Sequence, residues 1–321
     1  MVYFLFIIGF ALLIKGADVL VDGASALAKR NNIPELVIGL TIVSFGTSMP
    51  ELIVNLLASF DGSSELAIGN ILGSNIANVL LILGVAALIK PLTIHKSIYF
   101  TELPISLFAT VLVGFLANAD LFVDVKGLSL SRYDGMILLF FFGLFMTYIY
   151  VVSQTKTGEI EPEPTADTSQ MSKTKSILFI VGGSFALFLG GSWVVDGAFE
   201  IALLFGLSET FIGLTVVAIG TSLPELVTSA IAAKKGQSDL AVGNVVGSNI
   251  FNILWILGLS SVIRPLPFDV ISNSDILMVI ASSTLLIVAI VVGRKASIGR
   301  FMGGFFILVY IAYLVYLVMR G

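Results

Sequence analysis

The sequence predicts an all-α integral membrane protein of ten transmembrane helices, arranged as two inverted five-helix repeats. Three observations predict it. The 321-residue chain is 57% hydrophobic and only 12% charged, which leaves too few charges to coat an aqueous surface. Apolar runs of about twenty residues recur from end to end, each long enough to cross roughly 30 Å of hydrocarbon. The motifs of the first half recur in the second at a fixed offset, and each half contains an odd number of runs.

Read against glycine, proline and charge punctuation, the runs fall near 2–28, 36–60, 65–89, 97–118 and 133–153 in the first half. The first begins Met1-Val2-Tyr3-Phe4 without a basic leader or a small-residue cleavage site, so it is expected to be a retained span. It stops at Lys29-Arg30; the second follows Pro34, and the third ends before Lys90-Pro91. The fourth and fifth are parted by a polar stretch that ends at Arg132. Residues 154–175, with Glu159, Glu161, Pro162, Glu163, Pro164 and Asp167, cannot bury enough apolar surface to order themselves and read as a linker. Beyond it lie runs near 176–202, 210–233, 239–263, 274–293 and 300–320. The organisation expected is therefore a first repeat over 1–153, a linker over 154–175 and a second, inverted repeat over 176–321.

An offset of 174 residues carries Thr47 onto Thr221 and, with no gap, Asp22-Gly23 onto Asp196-Gly197, Gly69-Asn70 onto Gly243-Asn244 and Pro91-Leu92 onto Pro265-Leu266. Duplication explains a match that holds from the first run through the third. Because five spans separate the halves, the second half enters the bilayer from the opposite side. Twelve basic residues, among them Lys29, Arg30, Lys156, Lys234, Lys235 and Arg300, fall on one predicted side, against Lys126, Arg132, Arg264 and Arg320 on the other. The positive-inside rule then puts the linker in the cytoplasm and both termini outside the cell membrane.

Composition also excludes function classes. A net charge of −4 with scattered Lys and Arg offers no face for nucleic acid. The absence of cysteine removes thiolate chemistry, and the spans carry no Ser-His pair, paired-aspartate motif or His-based zinc motif, so the chain reads as no enzyme.

The chemistry lies in the middle of the second and seventh runs, in Gly46-Thr47-Ser48-Met49-Pro50-Glu51 and Gly220-Thr221-Ser222-Leu223-Pro224-Glu225. A carboxylate at mid-membrane costs about 2.5–3.5 kcal/mol on insertion scales, so Glu51 and Glu225 should face a polar cavity on an ion or proton pathway. Proline withholds an amide donor and displaces the carbonyl four residues earlier, here that of Gly46 or Gly220. Thr47 and Ser48 precede Glu51 by four and three residues and share its face wherever the backbone is helical. In the third and eighth runs Asn70, Ser74, Asn78 and Asn244, Ser248, Asn252 form stripes at steps of four. Inverted repeats bring these segments together, and two carboxylates among neutral oxygens suit hard cations such as Ca²⁺ and Na⁺.

Other polar residues have plainer readings. Asn70, Asn75, Asn244 and Asn249 are expected to make interhelical hydrogen bonds. Asp18, Asp22 and Asp196 read as helix-end or cavity residues, His95 as part of a short turn, and Trp193 and Trp255 as packing or anchoring groups.

The doubled Gly-Thr-Ser-x-Pro-Glu motif, with Gly69-Asn70-Ile71-Leu72-Gly73-Ser74-Asn75 and its second copy, resembles the α-repeats of the calcium/cation antiporter superfamily, and most of all those of compact prokaryotic sodium/calcium exchangers. The resemblance covers essentially the whole chain. It implies that spans two, three, seven and eight enclose cation sites while the first and sixth slide across them to alternate access. Carried over by motif position, Glu51 and Glu225 would bind Ca²⁺ and Na⁺; Thr47, Ser48, Ser74, Thr221, Ser222 and Ser248 would supply hydroxyl oxygens. The carbonyls of Ser44 and Ala218 would complete Na⁺ sites, and Asn78 and Asn252 would line the centre. Asn252, where potassium-dependent relatives carry Asp, argues against potassium cotransport. The resemblance implies no cofactor, with Ca²⁺ and Na⁺ as transported substrates, and no obligatory protein partner beyond the lipid bilayer. Proton/calcium exchange is the second reading and a cation channel the third.

Overall fold

Hydrocarbon offers a backbone amide no partner, so apolar runs must satisfy their own hydrogen bonds and fold as helices. The computed structural model describes residues 2–119, 127–154, 171–204, 218–292 and 296–320. Its helices are α1 (Val2–Asn31), α2 (Glu35–Thr47), α3 (Met49–Asp61), α4 (Ser64–Ile89), α5 (Ile98–Ala117), α6 (Arg132–Gln154), α7 (Lys173–Leu204), α8 (Ala218–Thr221), α9 (Leu223–Lys235), α10 (Ser238–Ile263), α11 (Asn273–Val292) and α12 (Arg300–Arg320). Among the described residues eight helices are long and apolar enough to cross a membrane, or nine when α2 and α3 count as one bent span. The seventh expected span is represented by α8 and α9; its start, 210–217, and most of the linker lie outside the described residues.

Two helices form the centre. In α4 and α10, 78% of the most apolar stretch is buried, against 22–44% in the other long helices. The outer helices turn Phe4, Ile7, Phe140, Leu178, Phe301 and Met319 outward, as a lipid-facing surface requires. The α1–α7 pair packs along a glycine seam with a seven-residue repeat: Gly9 lies against the Gly190 carbonyl, Gly16 against that of Gly183 and Gly23 against that of Ser176. Small residues permit such backbone approach where lipid gives no hydrophobic drive for association.

Short loops and helix ends bind the halves together. Leu92–Thr93 pairs antiparallel with Ser297–Ile298, and Ser129–Leu130 with Leu266–Pro267, so each two-residue ladder joins one half to the other. Gly62 and Gly236, both at φ 83°, terminate α3 and α9 in the left-handed conformation that favours glycine. Arg264 reaches the Phe60 carbonyl at the end of α3 at 3.2 Å. Arg300 likewise reaches the Leu88 and Ile89 carbonyls of α4 at 3.1 and 3.4 Å, and Arg132 the Ile263 carbonyl of α10 at 3.4 Å. Each cation meets the negative end of a helix dipole contributed by the other half.

Candidate functional site

The site begins where two helices break. Ser48 (φ −82°, ψ 11°) separates α2 from α3, which diverge by 49°, and Ser222 (φ −86°, ψ 5°) separates α8 from α9. Pro50 and Pro224 occupy the first turn of the following helix, where a missing amide hydrogen is harmless. The prolines therefore open new helices rather than kink old ones. Glu51 and Glu225 fall in the same first turns, at the positive end of the helix dipole.

A serine before such a turn ordinarily caps its own helix. Neither serine makes a side-chain cap bond here. Ser48 Oγ instead donates to Glu225 Oε1 at 2.8 Å, and Ser222 Oγ donates to Glu51 Oε1 at 3.2 Å. The exchange is reciprocal between halves and holds each carboxylate within hydrogen-bond reach of the serine that stands three residues before the other. Both are buried, with exposures of 1% and 0%, and Glu51 Oε2 and Glu225 Oε2 have no hydrogen-bond partner.

The other expected residues gather around this pair. Ser248 Oγ lies 3.0 Å from Ser48 Oγ and 3.4 Å from Glu225 Oε1; Ser74 is fully buried, its Oγ without a hydrogen-bond partner. Thr47 Oγ1 donates to Asn244 Oδ1 at 3.0 Å, mirrored by Thr221 Oγ1 to Asn70 Oδ1 at 3.2 Å. Asn78 and Asn252 are buried with orphaned Oδ1 atoms. Both lie in segments of π-helix, Asn78–Ile82 and Phe251–Ile256, a wider turn frequent at functional positions. The Ser44 carbonyl accepts the Ser48 amide at 2.9 Å and the Thr47 hydroxyl at 3.3 Å. Ala218 opens α8, and its side chain lies outside the described residues.

Asn55 and Ser229 belong to the constellation but were not singled out from sequence. Asn70 Nδ2 donates to Asn55 Oδ1 at 2.7 Å, and Asn244 Nδ2 donates to Ser229 Oγ at 3.0 Å. Each bond uses the amide hydrogens and turns the amide oxygen toward a threonine. The signal was available, because Asn55 and Ser229 follow Glu51 and Glu225 by four residues and share their helical face. Asp18 and Asp22, read as helix-end or cavity residues, pair with Lys235 Nζ at 2.6 and 2.7 Å. Trp255 stacks on Phe45 and Phe142.

Chemically, the centre offers two anionic and several neutral oxygens in a dehydrated setting. Among the described residues no group of three or more His, Cys, Asp or Glu side chains forms a metal cluster. Unpartnered buried oxygens are costly unless something electropositive reaches them. A hard cation supplies that partner, and a set dominated by neutral oxygens lets it leave again.

A family model described as Sodium/calcium exchanger protein matches residues 1–151 and 175–319. The chain is 37% identical to inner membrane protein YrbG of Escherichia coli, over 93% of this chain and 91% of that protein. It is 36% identical to sodium/calcium exchanger MaX1 of Methanosarcina acetivorans, over 98% of each. Among solved structures, the sodium-calcium exchanger NCX_Mj soaked with 10 mM Na⁺ and zero Ca²⁺ superimposes with a TM-score of 0.81 at 32% identity, covering 98% of this chain and 99% of that one.

Proposed function

The chain belongs to the sodium/calcium exchanger protein family, and from that premise we propose that it is a secondary active antiporter in which Na⁺ and Ca²⁺ occupy by turns one site built on Glu51 and Glu225. The observation that carries this reading is that, among the buried oxygens of the described residues without hydrogen-bond partners, five belong to the expected site: Glu51 Oε2, Glu225 Oε2, Ser74 Oγ, Asn78 Oδ1 and Asn252 Oδ1. They come from four helices: the reciprocal Ser48–Glu225 and Ser222–Glu51 bonds join α3 to α9, the Asn75 and Asn249 side chains join α4 to α10, and Ser248 links α10 to Glu225.

The mechanism follows from charge. Two carboxylates in low dielectric repel when empty, and one Ca²⁺ or two Na⁺ neutralise them. The two ions compete for the same oxygens, so binding of either excludes the other. A compensated site crosses the membrane more readily than an empty one, and coupled countertransport results. The hydroxyls of Thr47, Ser48, Ser74, Thr221, Ser222 and Ser248, the carbonyls of Ser44 and Ala218, and Asn78 and Asn252 supply neutral ligands. If three Na⁺ exchange for one Ca²⁺, one net charge moves per cycle, worth about 2.3 kcal/mol per 100 mV.

We read the architecture as ten spans in two inverted repeats in the cell membrane, with the linker cytoplasmic and both termini outside. Each strand ladder pairs loops that the basic-residue count assigns to one side, which supports this arrangement. The α1–α7 pair, held internally by its glycine seam, is the unit that slides across the site.

Proteoliposomes test the function. An outward Na⁺ gradient should drive Ca²⁺ uptake; uptake driven by a pH gradient and indifferent to Na⁺ would favour proton/calcium exchange instead, and Ca²⁺ flux without any counter-ion would favour a channel.

A further inference from the structure

A neutral amide serves a cation only through its oxygen; rotated by half a turn, the same side chain presents N–H groups and repels the ion. Asn78 and Asn252 therefore need something that fixes which end faces the centre. Asn75 and Asn249 do not bear the orphaned oxygens of the site, yet both are almost wholly buried, at 0% and 2% exposure.

Their bonds form two polarised chains. Asn75 Nδ2 donates to the Asn249 backbone carbonyl at 3.2 Å, and Asn249 Nδ2 donates to the Asn75 carbonyl at 3.4 Å. A carbonyl only accepts, so each amide nitrogen is assigned by an unambiguous partner. Each Oδ1 must then lie on the opposite side. Asn252 Nδ2 donates to Asn75 Oδ1 and Asn78 Nδ2 donates to Asn249 Oδ1, both at 2.9 Å. With those nitrogens engaged, the oxygens of Asn252 and Asn78 are left without a protein partner.

The geometry points to Asn75 and Asn249 as positioning residues that lock the Asn252 and Asn78 amides with their oxygens toward the cation, each locking the amide contributed by the other half. The inference rests on the exchanger reading for the identity of the ion, and deepens it by naming what sets the polarity of the neutral ligands.

The test uses a carboxylate in place of the locked amide. Asp has two equivalent oxygens and no wrong way round, so it needs no orienting partner. Equilibrium binding of ⁴⁵Ca²⁺ to purified full-length protein in Na⁺-free buffer is measured for wild type, Asn75→Ala, Asn252→Asp and the double variant. The mirrored set, Asn249→Ala with Asn78→Asp, covers a variant that fails to fold. Asn75→Ala is expected to weaken binding about tenfold, the scale of one mispaired buried polar group, while the same change in the Asn252→Asp background weakens it less than twofold. Equal losses in both backgrounds would reveal packing alone and overturn the proposal, as would unchanged binding in Asn75→Ala. Wild-type protein that binds Ca²⁺ but shows no Na⁺-driven uptake would overturn the exchanger reading without touching this one; wild-type protein that binds no Ca²⁺ would overturn both.

Discussion

Ser48 and Glu225 meet across the two halves of the molecule, the serine hydroxyl donating to Glu225 Oε1 at 2.8 Å. Ser48 stands three residues before Glu51, so the turn that presents one acid also orients the other. Neither half can form the site alone, and a change on one side of the pair is felt on both.

Removing one carboxylate charge should therefore disable the site as a whole. Glu51→Gln and Glu225→Gln keep shape but leave a divalent ion half compensated in a dehydrated setting. Stranding a buried charge costs about 3–5 kcal/mol, so Na⁺-driven Ca²⁺ uptake should fall on the order of 10²–10³-fold in either variant. Wild-type flux in both would show that the acids are peripheral.

Ser48→Ala is a milder version of the same test. It deletes the stronger of two serine donors to Glu225 Oε1, leaving Ser248 at 3.4 Å. Loss of a bond to a charged acceptor is worth about 1.5–3 kcal/mol, so the apparent KM for Ca²⁺ should rise roughly tenfold or more. Ser48→Thr retains a hydroxyl and should recover most of that loss; a Thr variant no better than Ala would argue that side-chain volume, not the hydrogen bond, matters at this position.

Protons bind carboxylates as cations do, which fixes the sign of the pH dependence. Lower pH should raise the apparent KM for both Na⁺ and Ca²⁺, with maximal rate recovered at saturating ion. Initial uptake rates across pH at several ion concentrations check this; a fall in maximal rate at constant KM would instead place the titrating group outside the site.

Much of this was legible because duplication marks function in the sequence itself. The fixed offset located both Gly-Thr-Ser-x-Pro-Glu segments, and the depth cost of Glu51 and Glu225 singled them out without coordinates. Other features were hidden for physical reasons. A proline can kink a helix or begin one, and only the backbone at Ser48 and Ser222 tells which. The π-helical turns at Asn78 and Asn252 leave hydrophobic periodicity nearly unchanged over so few residues. The partners of Asp18 and Asp22 could not be read locally, since Lys235 lies more than two hundred positions away. Asn75 and Asn249 were assigned to interhelical hydrogen bonding, which they make, but amide polarity is a property of the network and not of any residue in it.

Lys235 offers a test of asymmetry between the halves. It pairs with Asp18 and Asp22 of α1, whereas the 174-residue offset puts Asp61 at its counterpart and Asp196 opposite. The mirrored contact would thus set carboxylate against carboxylate. Both aspartates are about a third exposed or more, at 40% and 32%, so the contribution to stability should stay below about 1 kcal/mol. Lys235→Met should alter the turnover rate several-fold while leaving ion KM near wild type, because it acts where α1 meets α9 and not at the site. A shift confined to KM would show that the pair tunes the site electrostatically.

The glycine seam makes the sharpest structural prediction. A methyl group at Gly16 would lie 3.0 Å from the Gly183 carbonyl, and one at Gly183 would lie 2.7 Å from that of Gly16. Each obstacle is backbone, which has no rotamer to yield, so α1 and α7 must separate along a stretch where three glycines of α1 repeat every seven residues. Overpacking of this kind costs about 1–3 kcal/mol. Gly16→Leu or Gly183→Leu should lower the thermal midpoint in detergent and depress turnover even in folded protein, whereas Gly143→Ala on α6, where an added carbon meets nothing within 4 Å, should change neither. If the pair moves as one body, a cysteine cross-link from α1 to α7 should leave exchange intact while one from α1 to α9 arrests it. Arrest by the first cross-link would mean that the two helices slide past each other, and that the seam is a track instead of a clamp.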